Sequence, residues 1–104
     1  MKPITLNLCG ASYTGVIRSV PYISGGAPAL LFESKSGRRI ATLSVNMVGE
    51  PLMPNHTFIK DHSENEGVLG QLVNLGVVRD TGTRKPTGFV TVPLVEIIEP
   101  SLRQ

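Results

Sequence analysis

The chain has 104 residues, a length that fits one domain around one core. A hydrophobic fraction of 40% and a charged fraction of 17% exclude a disordered chain, and no run of about 20 apolar residues offers a membrane-spanning helix. Ten basic and eight acidic side chains leave a formal charge of +2, and with three phenylalanines, two tyrosines and no tryptophan this is a weak signal for a nucleic-acid surface.

One cysteine, Cys9, cannot close an internal disulfide and suits a reducing compartment. The opening MKPITLNLCG alternates and is broken by polar residues, so it does not read as a signal peptide. The cytoplasm is therefore the expected location. No internal repeat or low-complexity segment is visible.

Ile4, Leu6 and Leu8 alternate with Thr5 and Asn7, the period of a half-buried strand. Cys9 to Ser12 reads as a turn. Tyr13 to Ile23 reads as a second strand that Pro21 bends, ends or marks as an edge. SGGAP is a turn, and Ala29 to Glu33 a short strand. Lys35, Arg38 and Arg39 flank a Ser36-Gly37 hairpin turn suited to positive φ. Arg39 to Met47 gives the cleanest alternation, with Ala41, Leu43, Val45 and Met47 on one face. A proline-bounded loop follows, then a short strand from His56 to Asp61.

Ser63 to Leu75 reads as the single helix. Ser63-Glu64-Asn65-Glu66 has the form of a capping box, with its acids where the helix dipole favours negative charge. Val68, Leu69, Leu72, Val73 and Leu75 follow at helical spacing, and Gly76 with Val77 suits a Schellman stop. Val77-Val78 is then a brief extended piece and Asp80 to Gly88 a loop. Phe89 to Ile98 is a last strand in which Pro93 marks an edge or a bulge. The expected fold is α+β in the order β-β-β-β-β-α-β: one strongly curved antiparallel sheet of about five to six strands, with the helix on one face. An exposed edge at Phe89 to Ile98 would allow a homodimer.

No phosphate-cradling or nucleophile motif is present, so no cofactor is expected. Asp61 and His62 precede the helix cap and are not explained by it. With Glu66, and with His56 six residues upstream, they are the candidate set for acid–base or metal chemistry. Two histidines, exposed acids and a distant cysteine are a poor zinc set, however. The more informative groups are the basic loops. Lys35, Arg38 and Arg39, together with Arg84 and Lys85, would form a positive patch if the fold joins the loops at 35–39 and 80–88. Asp61, Glu64 and Glu66 would then form an opposite pole, a polarity suited to docking on another protein.

The stretch "FIKDHSENEG", the following "L..LV.LG.V" spacing and "TGFVTVPLVEI" resemble a family of small proteins of unknown function carried by phages, plasmids and other mobile elements. The matching residues are Ile59, Lys60, Asp61, Ser63 to Gly67, Leu69, Leu72, Gly76, Gly88 to Val90 and Pro93, and the likeness spans residues 40–98. It departs at His62 and at Lys85-Pro86-Thr87. The resemblance implies no activity and no site residues. It implies a setting in which small cofactor-free proteins inhibit host defence, as anti-CRISPR and anti-restriction proteins do.

The expectation is thus a non-enzymatic inhibitor of a host protein or ribonucleoprotein complex, with no membrane contact. It would act through Lys35, Arg38, Arg39, Arg84, Lys85, Asp61 and Glu64. The alternatives are a nucleic-acid-binding accessory protein and a small hydrolase or transferase using Asp61, His62 and Glu66.

Overall fold

A computed structural model describes residues 1–24 and 26–103. Strands β1 (Ile4–Leu8), β2 (Ala11–Pro21), β3 (Pro28–Glu33) and β4 (Arg39–Thr42) form one antiparallel sheet in that order. Strands β5 (Ser44–Val45), β6 (His56–Ile59), β7 (Val78–Thr87) and β8 (Val90–Ile97) form a second antiparallel sheet in the order β5-β6-β8-β7. Helix α1 (Val68–Asn74) lies in the chain between β6 and β7 and packs against β1 and β7. The fold is α+β and antiparallel, but it has two sheets where one curved sheet was expected.

The division falls inside the expected Arg39–Met47 strand. Leu43 belongs to neither sheet and bonds to both. Its N–H donates to the Leu30 carbonyl and its carbonyl accepts from the Lys60 N–H, each at 2.8 Å. The alternating pattern runs through this corner unbroken because Leu43 is fully buried whichever sheet it serves. Where the sheets part, β3 has backbone groups without ladder partners, and buried hydroxyls satisfy them. Ser44 Oγ accepts from the Leu30 N–H at 3.0 Å, and Thr57 Oγ1 donates to the Pro28 carbonyl at 2.7 Å.

The second correction is the expected loop at Asp80 to Gly88, most of which is β7. Its polar composition is that of an edge strand paired only with β8, not that of a loop. The register shifts between Asp80 and Arg84, where Asp80 accepts from the Gly82 N–H and from both terminal nitrogens of Arg84. The Arg84 guanidinium holds the Asp80 carboxyl down to about 2. Pro93 pairs with Arg84 beside this bulge, as the sequence suggests. β8 is an interior strand, so Phe89 to Ile98 does not form the sheet edge expected of it.

The helix is shorter than expected. Ser63 to Asn65 make a 3-10 turn, with Ser63 at a φ of 54°, and no side-chain bond caps either it or α1 from the adjacent residue. The capping box is therefore not formed. Gly67, with a φ of 88°, restarts the chain as α1, and Asp61 reaches over the turn to accept from the Leu69 N–H at 3.0 Å. Asp61 thus does the work assigned to Ser63. At the other end Gly76 donates to the Val73 carbonyl and Val77 to the Leu72 carbonyl, which completes the Schellman stop. Val68 and Leu72 are buried, whereas Val73 and Leu75 are exposed, so the apolar stripe is narrower than the spacing suggests.

The inner face of α1 meets Leu6 and Leu8 of β1, Phe32 of β3, and Val95 and Ile97 of β8 in one core shared by both sheets. Its outer turn supplies Gln71, whose side-chain amide pairs with the backbone of Asn7. Oε1 accepts from the Asn7 N–H at 2.7 Å and Nε2 donates to the Asn7 carbonyl at 2.9 Å.

Candidate partner-binding groove

Strand β2 is longer than either neighbour. Ala11 to Gly15 pair with β1, and Val16 to Pro21 pair with β3. Gly15 stands where the partner changes. A Cβ on it would lie 2.2 Å from the Glu33 carbonyl oxygen, so only glycine lets β3 approach here. β3 ends at Glu33, and the chain reverses through Ser34 to Arg38, with Gly37 at a φ of 84° and the Ser34 N–H bonded to the Arg38 carbonyl.

The early end of β3 leaves a groove between the first half of β2 and the β3–β4 hairpin. Its volume is about 590 Å³, and Leu8, Tyr13, Ile40 and Ala41 give it an apolar lining. Cys9, exposed in the β1–β2 turn, borders it; the turn is the Cys9-Gly10 pair, both at positive φ. Asn65 is buried beside it, donating from Nδ2 to the Thr42 carbonyl at 2.8 Å while its Oδ1 has no donor among the described residues.

The polar edge of the groove follows from strand alternation. Leu8 and Ala11 close the β1–β2 hairpin. The Asn7 backbone groups point away from β2, toward Gln71. Its cross-strand partner Ser12 therefore directs its N–H and C=O away from β1, and Thr14, two residues on, does the same. Those groups face the side on which β3 would continue.

Of the expected partner-binding residues, Arg38, Arg39 and Glu64 line this groove and Lys35 stands on the adjoining turn. Among the described residues, Lys35 and Arg38 have no acidic partner. Arg39 lies 3.9 Å from the Glu33 carboxylate, which Arg18 grips at 2.9 and 3.0 Å and holds below the usual carboxylate range. Glu64 is paired with Lys60, which also lowers its carboxyl. Arg84 and Lys85 do not join the groove. They are on β7, where Arg84 is held by Asp80 and Lys85 faces Glu50 at 3.9 Å. The expected single patch from the two basic loops is thus divided between the sheets, with the β7 half already neutralised.

The other candidate set is also dispersed in its bonding. Asp61 serves α1, the His56 ring nitrogen Nδ1 bonds the Pro54 carbonyl at 2.9 Å, and Glu66 is exposed. The buried Nδ1 of His62 has no partner among the described residues. No three His, Cys, Asp or Glu residues there are grouped to hold a metal ion. A second hollow of about 420 Å³ lies under the proline-rich loop 49–55, where Glu50 faces Lys85.

Ser12, Tyr13, Thr14, Ile40 and Ala41 were not singled out by the sequence. The signal that marks them is Gly15, a glycine inside a β-branched run, which denotes a bend or a close backbone approach. No family model, curated protein or solved structure matches the chain.

Proposed function

We propose that the protein acts by docking: it is a small mobile-element inhibitor that occludes a host macromolecular complex, and a nucleic-acid-guided defence complex is the leading target. The observation that carries the docking reading is the groove beside β2, where an apolar lining adjoins two cations, Lys35 and Arg38, that no acid of the described chain neutralises. Such a combination of apolar floor and charged rim suits recognition of an acidic protein surface. The resemblance of residues 40–98 to mobile-element proteins supplies the defence setting.

The nucleic-acid reading has less support, because Arg84 and Lys85 are paired with Asp80 and Glu50 and so do not extend the positive charge of Lys35 and Arg38. The test is phage plating on bacteria that carry a CRISPR or restriction system and express the protein. Plating is expected to recover with the wild-type chain and to be lost with K35E/R38E, at equal protein level and unchanged circular dichroism. If plating does not recover under any system tested, the inhibitor reading is overturned.

A further inference from the structure

We infer that the groove takes an extended acidic peptide segment of the partner, which adds as a strand alongside Ser12 to Thr14 of β2. This rests on the docking reading and names its occupant. The first half of β2 is laddered to β1 on one side only, and the N–H and C=O of Ser12 and Thr14 project from the other. Both residues are exposed, and neither backbone donates or accepts elsewhere among the described residues. An unpaired row of alternating donors and acceptors is a template for another strand.

The space beside that row is already shaped for one. The β3 ladder ends at Glu33, and the hollow beyond it is lined across from Ser12 to Thr14 by Ser34 and Arg38 of the turn and by Ile40 and Ala41 of β4. Side chains of an extended segment alternate in direction, so apolar residues can meet Tyr13 and Ile40 while the intervening ones stay near the rim. At the rim stand Arg38 and the distantly paired Arg39, with Lys35 on the adjoining turn; Arg38 and Lys35 have no acid among the described residues. Glu64, the acid that lines the groove among the described residues, is paired with Lys60. Carboxylates on the incoming segment complete this balance.

The same charges disfavour the other occupants. Two copies of this chain joined through β2 would bring Arg38 and Lys35 of each toward those of the other. A nucleic acid would satisfy the cations but offers no matching row of amides to Ser12 and Thr14.

The test titrates the full-length protein, uniformly labelled with ¹⁵N, with an acetylated, amidated peptide of alternating valine and glutamate. Controls are the valine–lysine peptide and a valine–glutamate peptide N-methylated on alternate residues. The glutamate peptide is expected to shift the Ser12, Thr14 and Ala41 amides and to slow hydrogen exchange at Ser12 and Thr14. The lysine and methylated peptides are expected to do neither.

K35E/R38E should weaken binding by about tenfold at low salt, as expected for reversing two surface charges. T14P removes one outward N–H without removing a backbone bond to β1 and should abolish the exchange protection at Ser12. Should T14P fail to fold, the methylated peptide reads the same backbone requirement. The inference is overturned by unaltered Ser12 and Thr14 amides at millimolar glutamate peptide, or by equal response to the lysine peptide. It is also overturned by concentration-dependent protection of these amides without peptide, or by a larger response to a DNA oligonucleotide. These readouts do not depend on host defence, so peptide binding without recovered plating would leave the added strand intact and reject the inhibitor role.

Discussion

Gly15 decides where β2 exchanges one partner for another, and it does so by lacking a side chain. A methyl group there would meet the Glu33 carbonyl at 2.2 Å, against main chain that cannot rotate away. Gly15→Ala is expected to lower stability by about 2–3 kcal/mol. The urea midpoint at constant slope reads this, and a loss below about 0.5 kcal/mol would show that β3 shifts freely. At this scale the sequence is legible only in part. The Schellman glycine is readable because its neighbours in sequence are its neighbours in space. The demand on Gly15 comes from Glu33, on another strand, and so is hidden. Asp61 is a similar case: its bond to Leu69 spans a turn whose shape depends on buried Asn65 holding the Thr42 carbonyl.

At the scale of the element, the segment from Ser63 to Glu66 shows a local motif overruled by tertiary contact. The residue types fit a capping box, yet Ser63 takes a positive φ and the helix begins after Gly67. Asn65 is anchored to the Thr42 carbonyl of β4 within the 3-10 turn, and the Leu69 N–H in the first turn of α1 lies within reach of Asp61. Asp61→Ala should therefore cost about 1 kcal/mol, as loss of a helix cap does, while Ser63→Ala should change stability by no more than about 0.5 kcal/mol. Thermal melts of the two variants distinguish these roles, and the opposite order would restore Ser63 as the cap. Strand β7 was hidden for a different reason. Glycine, proline and charged residues mark loops in most chains, but here they occupy an edge strand whose bulge at Asp80 to Arg84 absorbs the glycine.

For the whole molecule, the antiparallel character and the single helix follow from short connections and one helical period, and both are present. The separation into two sheets depends on Leu43, whose two backbone bonds run to Leu30 and Lys60 while its side chain enters the common core. Leu43→Ala removes core volume at a residue whose backbone bonds link the two sheets. A loss of about 2–5 kcal/mol is expected, with far-ultraviolet and aromatic signals still changing in a single transition. Two separated transitions would show that the sheets hold together without it. The candidate groove also belongs to this scale. Arg38 and Lys35 were legible as a basic hairpin, but the open backbone of Ser12 and Thr14 exists only because two strands of unequal length end where they do.

The pairing of Gln71 with Asn7 makes the flanks of this fold unequal. On the β1 side a side-chain amide occupies the main-chain positions that a neighbouring strand would use, whereas the first half of β2 keeps its own positions vacant. Growth of a fibril by edge stacking requires each unit to offer an acceptor edge and a donor edge. With the β1 edge occupied at Asn7, a molecule that received a strand at β2 could not pass β1 on to the next until α1 released it, so head-to-tail stacking through the β1 and β2 sides of this sheet is blocked at its first link.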